Sequence, residues 1–258
     1  MIPYRDENTA ERTAVITIAI IGLNALVWVL IQGAGSTRVA ADGSVTGLAA
    51  SVCNLGLIPG ELTLAVRAGT GFEMGSGLVC VLDPGRQWSH VFTSMFLHGS
   101  WMHLIFNMWF LWLFGNNVED SMGRARFAAF YLLSGIGAAA AQVLADPASP
   151  YPMVGASGAI SGVMGAYVVL YPRVRVWTLV PIGFFLTSIA LPAWVMLGYW
   201  ILLQVLGGVG GSEGGVAFWA HIGGFVVGAA TIRLFARSDY IARRRAAVWV
   251  PQHTGWSR

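Results

Sequence analysis

The chain has 258 residues, 56% hydrophobic and only 10% charged, with a formal net charge of +3. With the 33 glycines counted in and the 7 tyrosines left out, about 66% is apolar or glycine, against roughly 45–50% in soluble domains. So little polar surface excludes most cytosolic enzymes, disordered regulators and nucleic-acid modules. It points instead to one membrane-embedded bundle. The 15 basic side chains are all arginine; with the Gly/Ala/Val bias this suggests GC-rich coding, a bacterial source and its plasma membrane.

A bilayer core of roughly 30 Å takes about 20 apolar residues of helix. Six stretches meet that need in chain order. They are Thr13–Thr37, Gln87–Val118 (with three histidines), Phe127–Ala145, Pro147–Pro172, Val176–Ser212 (kinked by Pro181 and Pro192) and Gly214–Ile232. The expected fold is therefore an all-α six-helix bundle over residues 13–236. A short N-terminus (1–12) precedes it, a long outer loop (about 32–86) joins the first two helices, and a basic tail (237–258) follows. Met1–Arg12 carries Asp6, Glu7 and Glu11, which fits neither a signal nor a transit peptide.

Arginine distribution sets the expected orientation. Twelve arginines flank one side: Arg5, Arg12, Arg124, Arg126, Arg173, Arg175 and six in the tail from Arg233 onward. Three, Arg38, Arg67 and Arg86, lie on the other. Both termini are thus expected in the cytoplasm. The outer loop should contain short interfacial helices around Leu57–Leu62. Both cysteines of the chain, Cys53 and Cys80, fall in it. An oxidising compartment would let them pair; two unrelated thiols remain the alternative.

Polar groups at membrane depth are costly and tend to be functional. Three clusters stand out: His98–Asn107, with His103 and Asn107 at i and i+4; Gly155–Gly162, around Ser157; and Ala220–Gly228, around His221. Singly, each has an ordinary explanation, since small residues and hydrogen-bonding side chains are common where membrane helices pack. Together they carry a resemblance. The chain resembles the rhomboid intramembrane serine proteases, in three motifs. His-x4-His-x3-Asn in the second helix is matched by His98, His103 and Asn107. Gly-x-Ser-Gly at the start of the fourth is matched by Gly155, Ser157 and Gly158. Ala-His-x2-Gly-x3-Gly in the sixth is matched by Ala220, His221, Gly224 and Gly228. The likeness runs from about Gln87 to Arg237. Two departures accompany it: the family's Trp-Arg loop pair falls on Ser89 and His90, and the aromatic expected four residues after the serine is Ser161.

The resemblance implies Ser157 as nucleophile and His221 as base, without metal or other cofactor. Gly158, Gly162, Gly224 and Gly228 permit the close helix crossing this needs. No acid falls inside a span, which makes the expected machinery a dyad. Donors for the tetrahedral oxyanion are expected from His103, Asn107 and the backbone at Gly155 and the serine's helix N-terminus. His98 would orient the loop, hold water or contact substrate. The implied substrates are transmembrane proteins in the lipid bilayer, cut near the outer face after local unwinding, with the fifth helix as a gate. Nucleic acid is not an expected partner. A non-catalytic rhomboid-like binding protein and a small transporter are the rival readings; the retained Ser and His, and the lack of an internal repeat, count against them.

Overall fold

The computed structural model describes residues 1–8, 10–74, 77–183, 185–210 and 216–241. Strand β1 (Ile2–Asp6) leads into helix α1 (Val15–Leu30), which buries Thr17, Asn24 and Trp28 along one face. The start of α1 is capped from another helix: the Glu119 carboxylate accepts the amides of Ile16 (3.0 Å) and Thr17 (2.8 Å). A carboxylate suits a helix N-terminus, where amides lack partners and the dipole is positive.

The loop after α1 holds more than the short helices expected in it. It contains hairpin β2–β3 (Thr37–Val39, Val45–Gly47), helices α2 (Leu48–Leu55) and α3 (Pro59–Thr63), and hairpin β4–β5 (Gly71–Glu73, Val79–Val81). Cys53 on α2 and Cys80 on β5 are joined in a disulfide. It ties α2 to a small buried cluster of Ile58, Cys80 and Leu82. Helix α4 (His90–Thr93) then closes the loop.

Five long helices follow: α5 (Trp101–Met122), α6 (Arg124–Ala145), α7 (Ser157–Leu170), α8 (Ala193–Val209) and α9 (Phe218–Phe235). Helix α7 is apolar all round, the pattern of a helix enclosed by others. Every residue from Gly158 to Tyr167 is buried. Phe114, Phe127, Phe130, Tyr131 and Tyr167 fill the main core beside it. The outer faces of α1 and α8 expose large apolar side chains such as Leu26, Leu30, Leu202 and Leu206. Among the described residues, α6 and α9 are long and apolar enough to cross a membrane; α1, α7 and α8 are apolar but shorter.

The expected fifth helix requires correction. Residues 175–192 form strands β6 (Arg175–Ile182) and β7 (Phe185–Pro192), and α8 starts only at Ala193. Both strands pair antiparallel, and β1 adds to β6 to give the order β1-β6-β7. Pro181 therefore lies in a strand, and Pro192 precedes α8 rather than kinking it. The segment is rich in β-branched and aromatic residues, and it finds a strand partner in the N-terminus. The fold is helical, with three small sheets among the described residues. Of the tail, Arg243, Arg244, Arg245 and Arg258 lie outside the described residues, as does Glu213.

Candidate active site

Glycine sets the geometry. A Cβ on Gly224 would stand 2.0 Å from the carbonyl oxygen of Gly158, and one on Gly228 2.0 Å from that of Gly162. A Cβ on Gly158 or Gly162 would meet Ala138 or Ser134 of α6 at 2.6 and 2.3 Å. So α7 touches α9 backbone to backbone while α6 closes behind. Without a hydrophobic driving force between apolar helices in lipid, such close packing is what holds them together. Gln142 of α6 also accepts the Ala220 amide (3.3 Å), fixing the first turn of α9.

This contact brings Ser157, first residue of α7, to His221, in the first turn of α9. Ser157 Oγ and His221 Nε2 are 2.8 Å apart. The other ring nitrogen, Nδ1, lies 2.8 Å from Gln204 Oε1 on α8. The Trp200 ring, one turn earlier on α8, faces the imidazole at 5.8 Å between centroids. Trp200 thus supplies the aromatic neighbour missing at position 161. Ser161 instead donates to the Ser157 carbonyl at 2.6 Å.

Opposite the pair stands α5. His103 Nδ1 accepts the Gly99 amide at 3.3 Å, which leaves its Nε2–H as the donor toward the serine. Gly155, at φ +131°, passes so close that a Cβ would lie 2.9 Å from His103 Nε2 and 3.4 Å from Ser157 Oγ. Only glycine tolerates both that backbone angle and that approach. Asn107 spends one amide proton on the His103 carbonyl (2.9 Å) and keeps a second. These groups line a cavity of about 440 Å³, bordered also by Pro152, Met153 and Val154. The Ile160 amide donates to the Ala156 carbonyl at 3.0 Å, and with no side-chain cap from Ala156 at the start of α7 the amides before it can donate into that space.

His98, expected to orient the loop, hold water or contact substrate, stands behind His103. It is fully buried, outside the cavity lining, with its ring edge-on to His103 at 5.1 Å. Its backbone is clamped by Gln32, which donates to the His98 carbonyl and accepts its amide, both at 2.8 Å. His90, standing where the family has arginine, is buried with Nδ1 4.0 Å from Glu61 Oε2. Gln32, Trp200 and Gln204 escaped the motif reading. Gln204 left a signal, since an amide side chain inside an apolar helix is a functional candidate by default.

The fold and site together define a helical membrane protein with a hydrogen-bonded serine and histidine in the wall of a cavity. A family model described as Rhomboid domain matches residues 85–238, more than half the chain. This chain belongs to the rhomboid family. It is 35% identical over 140 residues to Rhomboid protease GluP of Bacillus subtilis, covering 53% of this chain and 26% of that protein. It is 32% identical over 139 residues to Rhomboid protein 1, mitochondrial, of Saccharomyces cerevisiae, covering 50% and 40%. RHOMBOID-like protein 5 of Arabidopsis thaliana is 33% identical over 99 residues, covering 38% and 31%. The matches thus span about a quarter to two-fifths of these relatives' own lengths.

Proposed function

We propose that this chain is an intramembrane serine endopeptidase with six membrane-spanning helices, both termini in the cytoplasm and its catalytic cavity open toward the outer face. Ser157 attacks the scissile carbonyl while His221 Nε2 takes its proton, as a nucleophile–base pair requires. The tetrahedral oxyanion lies toward His103 Nε2–H, the spare amide proton of Asn107 and the first amides of α7. Collapse breaks the C–N bond, and His221 returns the proton to the leaving amine. Water entering through the cavity then releases the acyl group by the reverse proton path. The substrates are membrane-protein segments that can unwind locally, since a helical peptide bond is shielded by its own hydrogen bonds.

The observation that carries this reading is the 2.8 Å contact between Ser157 Oγ and His221 Nε2, with separate donors facing the same cavity. Reconstituted chain is incubated with a membrane-anchored reporter, and Ser157→Ala and His221→Ala are compared with wild type. Loss of cleavage by at least about 10³-fold in each is expected. Cleavage surviving either change rejects the pair. A wild-type chain that binds the reporter and never cuts it favours a non-catalytic role.

A further inference from the structure

The hydrogen-bonded chain at the site does not end at the imidazole, and its far end is neutral. We propose that Gln204 is the positioning residue of the catalytic base: it fixes which nitrogen of His221 carries the proton. The proposal rests on the reading of Ser157 and His221 given above.

A carboxamide beside an imidazole is ambiguous, because it can present either an acceptor or a donor. Were its nitrogen turned to the ring, Nδ1 would have to accept. The imidazole proton would then sit on Nε2, and no lone pair would face the serine. The surroundings of Gln204 remove the ambiguity. Its Nε2 donates to the Trp200 carbonyl one turn back on α8, at 3.3 Å. That leaves Oε1 for the ring, 2.8 Å from Nδ1. An oxygen that can only accept requires Nδ1 to carry the hydrogen, so Nε2 offers its lone pair to Ser157 Oγ, also at 2.8 Å.

When the serine proton moves to Nε2, the ring becomes cationic and the Nδ1–H···Oε1 bond strengthens. The carboxamide gains and loses nothing, so the proton count is that of the pair alone. In soluble serine hydrolases a carboxylate does this work. At membrane depth an ionised carboxylate is far more costly to bury than an amide, and Gln204 is itself buried. Trp200 and Gln204 lie one turn apart on α8, so one helix supplies both supports of the base. His221 is therefore correctly poised only while α8 is docked.

The test uses full-length chain in detergent micelles or liposomes, with Gln204→Met and Gln204→Glu beside wild type and Ser157→Ala. Two rates are read: acylation of Ser157 by a fluorophosphonate probe, and kcat and KM on the membrane-anchored reporter across pH. Gln204→Met keeps the shape and removes the acceptor. It is expected to lose ~10- to 100-fold in acylation and kcat, with KM within about twofold. Gln204→Glu keeps an acceptor. It is expected to recover most of that loss, because a carboxyl oxygen also accepts from Nδ1–H; where it ionises beside the ring it also moves the acid limb of kcat/KM to higher pH. A methionine variant with wild-type rates and pH profile overturns the proposal, as does a glutamate variant as slow as methionine at every pH. Should the methionine variant not fold, Gln204→Leu is read in its place, and wild-type acylation and kcat in it reject the proposal. Probe labelling that persists in Ser157→Ala rejects the nucleophile itself, which separates that failure from this one.

Discussion

At the scale of single residues, the site depends on side chains whose hydrogen-bonding capacity is only partly used. Asn107 is buried, gives one proton to its own helix and keeps one for the cavity. Asn107→Ala is expected to lower kcat by roughly 10²–10³, or about 2.7–4 kcal/mol, with KM little changed; steady-state cleavage of the reporter measures both. The buried pair in the first loop behaves differently. Burial lowers the His90 pKa from its ordinary value and raises that of Glu61, and among the described residues neither Glu61 Oε2 nor His90 Nδ1 has a hydrogen-bond partner. Below about pH 6.5 the unfolded chain takes up a proton that folded His90 resists, so stability falls as pH falls through that range. The Glu61 contribution has the opposite sign, lost as pH rises past the ordinary carboxylate value. Thermal unfolding of His90→Gln and wild type between pH 5 and 7.5 isolates the histidine. The variant should show the shallower acid-side decline, and parallel curves would remove His90 as the cause. The motifs made Ser157, His221, His103 and Asn107 legible in the sequence, because their chemistry is rare inside apolar helices. The position of His98 behind His103 was not, since a ring's direction depends on the Gln32 clamp, 66 residues away.

At the scale of elements, the contact between α7 and α9 is decisive. A Cβ on Gly228 would meet a backbone oxygen, which cannot move aside like a side-chain tip. Gly228→Ala is expected to push the helices apart, lowering the unfolding midpoint and removing Ser157 labelling by the fluorophosphonate probe. Gly22→Ala on α1 is the matched control, since nothing lies within 4 Å of its Cβ. It should label normally and gain up to ~1 kcal/mol from helix propensity. The positions of the long helices follow largely from apolar runs, but the β6–β7 hairpin did not. An apolar run does not by itself distinguish strand from helix. What decided between them was pairing with Ile2–Asp6, a partner remote in sequence. Pro181, Gly183 and the β-branched content of the segment were the local signs.

For the whole molecule, the proposed topology puts the tail and the first loop on opposite sides of the membrane, as the arginine asymmetry leads one to expect. Ser238→Cys should react with a membrane-impermeant maleimide only after permeabilisation, and Ser44→Cys in intact cells. Labelling of both from one side would overturn the proposed topology. The sequence by itself determined that this is a membrane protein, which helices carry the motifs, and which residue types could do chemistry. These follow from transfer energetics and from the scarcity of polar groups in apolar spans, both of which are local properties. Only the tertiary structure decided that the N-terminus completes a sheet with residues 175–192. It alone joined Cys53 to Cys80 and put Gln204 and Trp200 of α8 against the imidazole of α9. Each of these depends on distances between separate segments of the chain, and such distances are set by packing rather than by composition.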